Sequence, residues 1–218
     1  MIAHSLLSPS VPALAADDTA GRALYRMAEL GVEHLPVVGT DGRLLALVSE
    51  ADLHTLPSPE TPLAAVAFGE PVSVAPDTHA FDAAHLMLRH DLSALPVVGA
   101  GGVYLGAVAR PDLFRQLAHM LATEEAGAIV VAEAPRRDFS LARLAYMVEQ
   151  SDVRVLSASV EDDPDAGLAR ATLKLNVADT ARVRALMEHE GYRVAAVFDE
   201  ADADLQGRVD AFLRYLEV

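Results

Sequence analysis

Apolar residues along this chain fall into helical stripes and short strand-like runs, and the first set of them is written twice. Ala23, Leu24, Met27 and Leu30 recur at the spacing of one helix face, and Ala83, Leu86 and Met87 do the same in a second place. After each stripe comes Leu-Pro-Val-Val-Gly, at 35–39 and again at 95–99. A continuous apolar run of that length, closed by a glycine, predicts a buried strand. Thr40-Asp41-Gly42-Arg43 predicts a hairpin turn, because glycine accepts the positive φ such turns require. A second strand follows over 44–48 or 104–108. A closing helix starts near Ser49 and near Pro111, the latter suited to a first helical position because its missing N–H would go unpaired there. Short extended pieces, 11–15 and 72–75, lead into an Asp/Thr cluster fit to cap the first helix of each copy.

A shift of sixty lays residues 17–53 on 77–113 without a gap. Asp17/Asp77, Ala23/Ala83, Met27/Met87, Gly42/Gly102, Leu45/Leu105, Val48/Val108 and Asp52/Asp112 are identical pairs, as is the whole Leu-Pro-Val-Val-Gly run. Such a register marks a tandem duplication. One β-α-β-β-α copy cannot bury both faces of its small sheet, so the two are expected to pack as one domain with pseudo-twofold symmetry.

From Gly127 the pattern changes. Residues 128–132 form a short apolar strand, and Leu141, Leu144, Ala145 and Val148 one helix face. Leu156, Ala158 and Val160 alternate with polar residues, as do Ala171, Leu173, Leu175 and Val177, which is the period of half-buried strands. Residues 161–167 between them are turn chemistry; Val183, Leu186 and Met187 mark a second helix, and 193–198 a last strand. The order β-α-β-β-α-β is the ferredoxin-like split arrangement. Leu205, Val209, Phe212, Leu213 and Leu216 then form a stripe that predicts a C-terminal amphipathic helix over 201–218, docked on its own domain or on a second subunit. The fold class is α+β.

The element order, the repeated Pro-Val-Val phrase and the Ser-x-x-Asp-Leu that closes its first copy resemble a tandem pair of cystathionine-β-synthase (CBS) domains, the Bateman module. The resemblance covers 1–122, with repeat 1 at about 1–58 and repeat 2 at about 59–122. It implies a non-catalytic regulatory homodimer that binds adenine nucleotides (AMP, ADP or ATP) in clefts between the repeats. Residues 125–200 resemble an ACT domain, a small-ligand regulatory fold. Where that family's first loop reads Asp-x-Pro-Gly, this chain has Glu133-Ala134-Pro135-Arg136, and arginine in place of glycine argues against amino-acid binding there. The whole arrangement is similar to acetoin-utilisation-type bacterial CBS–ACT proteins, a label that does not assign acetoin metabolism.

The resemblance implies that Ser49 and Asp52 contact the ribose and phosphate ends of a nucleotide. A carboxylate can accept hydrogen bonds from both ribose hydroxyls, and a helix start offers free N–H groups to phosphate. The same two residues stand where a helix cap and its capping-box acid would sit, worth about 1 kcal/mol to the helix. Both readings stand. In the second copy Asp112 is kept, Ala109 replaces the hydroxyl, and Arg110 offers a charge to phosphate or is simply solvated. Gly106 would let a ligand approach the backbone where the first copy has Ala46, and Ser73 is a further candidate polar contact. One functional site, or two unequal ones, is expected. The alternatives are a ligand-free dimerisation scaffold acting on a partner protein, or a sensor of S-adenosylmethionine or an amino acid.

Charge and composition narrow the partners. A formal charge of −15, with no basic run longer than Arg136-Arg137, excludes a nucleic-acid backbone as partner. The chain has no cysteine, which removes thiolate chemistry and suits a reducing, cytoplasmic compartment. No apolar run reaches the roughly 18–20 residues that a bilayer requires. The N-terminal stretch lacks a basic leader and is interrupted by Pro9 and Pro12, so it reads as mature structure. His79, His85 and His90 do not share the i,i+4 spacing of a ligand pair, and no nucleophile–base, HExxH or P-loop phrase occurs. Neither a metal, a cofactor nor catalysis is expected.

Overall fold

Thr19 opens the first long helix: its Oγ1 accepts the Arg22 N–H at 3.3 Å, and Gly31 closes the helix at φ 64°, where a Cβ would be strained. The structure, a computed structural model, describes residues 1–66 and 68–198. The chain divides into two compact units between Leu117 and Ala118.

In the first unit the first copy contains β1 (Leu14–Ala15), α1 (Ala20–Leu30), β2 (His34–Val38), β3 (Leu44–Ser49) and α2 (Glu50–His54). The second contains α3 (Ala80–Arg89), β4 (Ala94–Val98), β5 (Tyr104–Ala109) and α4 (Arg110–Met120). The duplication extends to the core. Ala20, Ala23 and Met27 are the buried residues of α1, and their equivalents Ala80, Ala83 and Met87 are those of α3. The capping positions are equivalent too. His79 takes the place of Thr19, its Nδ1 accepting the Phe81 N–H, and Asp91 takes the left-handed position of Gly31 at φ 50°.

The leading extended pieces are shorter than the pattern predicts. In the first copy only Leu14 and Ala15 pair, parallel to Val37 and Val38, and in the second a single bridge joins Val74 to Val97. The N-terminal turn Ala3–Leu6 packs into the core of the second copy, and the Ser8 N–H donates to the Ala107 carbonyl at 2.8 Å. Ala94, Ala107 and Ala109 in turn pack in the core of the first copy. The copies therefore share side chains, as half-covered sheets must.

The second unit holds β6 (Ile129–Pro135), α5 (Leu141–Glu149), β7 (Val155–Asp163), β8 (Leu168–Leu175), α6 (Ala181–His189) and β9 (Arg193–Phe198). Its sheet runs β7-β8-β6-β9 with every neighbouring pair antiparallel. Val130, Ala132, Ala134, Ala171, Leu173 and Leu175 share one face and meet Leu144, Val148, Val183 and Met187 from the two helices.

Three expectations need correction. Glu161, Asp162 and Asp163 are not turn but the end of β7, paired with β8. Glu133, Ala134 and Pro135 are strand, not loop: β6 continues because each finds a partner on β8, Glu133 opposite Arg170. On β7, Ala158 and Val160 are exposed rather than half-buried. This is an edge strand, and the core on it stops at Val155. The stripe from Leu205 to Leu216 lies outside the described residues.

Candidate functional site

Two clefts open between the copies at positions related by the duplication. The backbone sets them up alike: the Arg110 N–H donates to the Ser93 carbonyl at 2.9 Å, and its equivalent, the Glu50 N–H, donates to the Glu33 carbonyl at 2.8 Å. Side chains then make them chemically different.

The first cleft, of about 400 Å³, is walled by Ser10, Glu33, Ser93, Arg110, Asp112 and Arg115. Arg110 begins α4 and is anchored at both ends of its guanidinium, Nε to the Leu92 carbonyl at 3.0 Å and Nη2 to Asp91 at 3.0 Å. Asp112 accepts from Arg115 Nη1 at 2.7 Å. The Ser8 hydroxyl, and then the Arg115 guanidinium, hold the Asp112 carboxyl below the usual range against the opposing effect of burial. With five N–H donors each, both arginines keep some for an incoming anion.

The equivalent cleft, of about 450 Å³, is lined by Glu33, Glu50 and Asp91 and by His34, His54 and His90. Where the first cleft has Arg110 it has Glu50, and no arginine lines it. Of its three carboxylates, Asp91 is the one bonded to Arg110. Among the described residues no three histidines, aspartates or glutamates are arranged to hold a metal ion.

The structure brings Arg110 and Asp112 into one cleft and adds Arg115. Ser49 and Asp52 line neither cleft. Ser49 caps α2, its Oγ accepting the Asp52 N–H at 3.0 Å and donating to Asp52 Oδ2 at 2.7 Å. Ser73 is half-buried beside Val74 and also lines neither. Gly106 offers no open backbone: at φ 145° its free side is filled by Leu7, whose Cδ2 would lie 3.1 Å from an added Cβ. Ser10, Glu33, Ser93 and Arg115 are absent from the sequence reading. Only Arg115, one helical turn after Asp112, carries a local signal. Glu33 and Ser93 are related by the shift of sixty, and their difference marks where the clefts diverge.

Glu133, expected only as the start of a loop, is a buried carboxylate. On β6, at 2% exposure, its carboxylate accepts from Arg170 at 2.7 Å and from Arg193, and Arg170 above all holds it below the ordinary carboxylate range. No helix among the described residues is long and apolar enough to cross a membrane.

A model of the CBS domain matches residues 3–57 and 63–119. Among curated proteins, inosine-5'-monophosphate dehydrogenase of Korarchaeum cryptofilum (strain OPF8) is 25% identical over 153 residues, which is 70% of this chain. The chain spans only 32% of that relative's length. A solved CBS domain pair/ACT domain protein from Thermotoga maritima is 22% identical with a TM-score of 0.50, covering 55% of this chain and 98% of that one. That likeness is one of fold. An acetoin utilization protein from Vibrio cholerae is 28% identical with a TM-score of 0.49, covering 57% of this chain and 95% of the other.

Proposed function

The chain belongs to the CBS-domain family, and from that premise we propose that it is a non-catalytic regulatory protein binding one adenine nucleotide per chain, in the cleft of Arg110, Asp112 and Arg115. The observation that carries this reading is the charge difference between two clefts built on equivalent backbones. A nucleotide phosphate bears up to two negative charges, and guanidinium groups match its oxygens in geometry as well as sign. Arg110 and Arg115 offer that match beside Glu33 and Asp112, while the equivalent cleft presents Glu33 and Glu50 with no arginine in its lining. Asp112 is placed to accept from ribose hydroxyls, and Ser10 and Ser93 supply the hydroxyls that Ala109 lacks. A volume of about 400 Å³ is within the range of small-ligand sites. CBS pairs are generally regulatory modules, and no dehydrogenase chemistry is carried over from a relative of which this chain spans 32%.

The regulatory readout is a homodimer. Leu88 and Phe114 are 84% and 72% exposed and flank a groove between α3 and α4 floored by Met87, Leu113 and Leu117. Their equivalents in the first copy are Ala28 and His54. Large apolar groups exposed on one copy and absent from its duplicate are best accounted for by a covered face, and a second chain is the occupant. The second unit, with its β7-β8-β6-β9 order, is an ACT-like domain that reports or joins the change.

Ala109 and the Leu7 side chain against Gly106 favour a second reading, a scaffold with empty clefts. Calorimetric titration with AMP, ADP, ATP and S-adenosylmethionine separates the two. Nucleotide binding at one site per chain, lost in Arg110→Ala and Asp112→Asn but kept in Ser49→Ala, is expected. Failure of all four ligands to bind leaves the scaffold, and binding of S-adenosylmethionine alone overturns the nucleotide assignment.

A further inference from the structure

Where the copies meet, the start of β2 lies against the residue preceding β4. Ser93 Oγ accepts the Glu33 N–H at 3.0 Å and lies 3.2 Å from His34 Nδ1, and the Ser93 N–H donates to the same nitrogen at 3.3 Å. An amide N–H can only donate, so Nδ1 here is the unprotonated acceptor. The contact has no twin: under the shift of sixty the position of His34 is occupied by Ala94. One imidazole therefore serves the joint between the two copies. Its neighbours Glu33 and Ser93 also wall the Arg110 cleft, and His34 itself lines the acidic one.

We propose that His34 makes this joint proton-sensitive and, through Glu33 and Ser93, makes anion binding in the Arg110 cleft depend on pH. The second half rests on the nucleotide reading above; the first does not. A proton on Nδ1 turns acceptor into donor: the Ser93 N–H loses its acceptor and faces another N–H, while the contact with Ser93 Oγ reverses direction, and the wall they form loosens.

The surrounding groups set where this happens. Burial disfavours the proton most, Glu33 on the same strand favours it, and Arg110 on α4 disfavours it. Asp91, after α3, and Asp52 on α2 also favour it. Glu50 and His54 on α2 and His90 at the end of α3 line the same cleft. Burial prevails, and the imidazole is held below its ordinary range. The sign follows: a depressed histidine stabilises the joint above its unfolded value of about 6.5 and loses that contribution as pH falls through the folded value.

The test uses the full chain without ligand. Backbone and imidazole ¹⁵N spectra are recorded from about pH 8 to pH 5, the span over which histidine charges. The Ser93 amide is expected to shift with the same midpoint as His34 Nδ1 and to exchange faster on its acid side than intrinsic exchange accounts for. In His34→Gln, whose side-chain oxygen can accept the Ser93 N–H but does not titrate, both changes vanish. A Ser93 amide that ignores the His34 titration, or that still titrates in His34→Gln, overturns the proposal. In a second arm AMP affinity weakens severalfold across that midpoint in the parent relative to His34→Gln. Equal pH dependence in the two overturns the coupling to the cleft. Absence of AMP binding at every pH, with the Ser93 result intact, overturns the nucleotide reading and the coupling built on it while leaving the joint.

Discussion

The Ser49 hydroxyl and the Asp52 carboxylate are bonded to each other, Oγ donating to Oδ2 over 2.7 Å while accepting the Asp52 N–H over 3.0 Å. Both groups are thereby occupied at the start of α2. Ser49→Ala removes the cap and is expected to cost about 1 kcal/mol in urea unfolding, with nucleotide affinity unchanged. A loss of affinity larger than the loss of stability would return Ser49 to the ligand site.

Asp112, at the equivalent place in the second copy, is tied to Ser8 and Arg115 instead. Its folded pKa lies below the unfolded value of about 3.9, so it contributes stability above that value and loses it as pH falls through the folded one. Asp112→Asn should be less stable than the parent at neutral pH, and the gap should close in acid. Urea midpoints at pH 7 and near pH 3 read the difference.

Gly106 sits at φ 145° against Leu7. Gly106→Ala meets a backbone penalty of about 1–3 kcal/mol and a crowded Leu7. Adding Leu7→Ala relieves the crowding but not the backbone term, so the double variant should not recover parental stability. Full recovery would assign the whole effect to packing.

Glu133 is hemmed in by Arg170 and Arg193 on the neighbouring strands. Removing one partner of a buried ion pair leaves the others uncompensated. Glu133→Gln is therefore expected to lower the melting temperature at pH 7. Its depressed pKa adds a sign: the stabilisation is present above the ordinary glutamate range and fades as pH drops below it. The deficit of the variant should shrink in acid.

Leu88→Ser and Phe114→Ser should convert the proposed dimer to monomer in sedimentation equilibrium, with little loss of fold stability because both side chains are exposed. Tyr25→Ser, on the exposed face of α1, should not.

The sequence by itself determined the elements and their order. Periods of two and of 3.6 residues, turn glycines and the shift of sixty are local or self-referential signals, and they placed β2, β4 and β9, both helix faces of the second unit and the shared core positions of α1 and α3. Where local signals mislead, the reason is non-local. The run Glu133-Ala134-Pro135 resembles a loop until its partners on β8 are known. Gly106 resembles an opening until Leu7, ninety-nine residues earlier, fills it. Tertiary structure alone decided the chemistry of the clefts. Ser10, Glu33 and Ser93 reach Arg110, Asp112 and Arg115 of α4 from separate parts of the chain, and charge compensation follows distance in space, which no periodicity along the chain records. Duplication supplied two equivalent backbones; the side chains that converge on one include two arginines beside Glu33 and Asp112, and those that converge on the other include three carboxylates and no arginine.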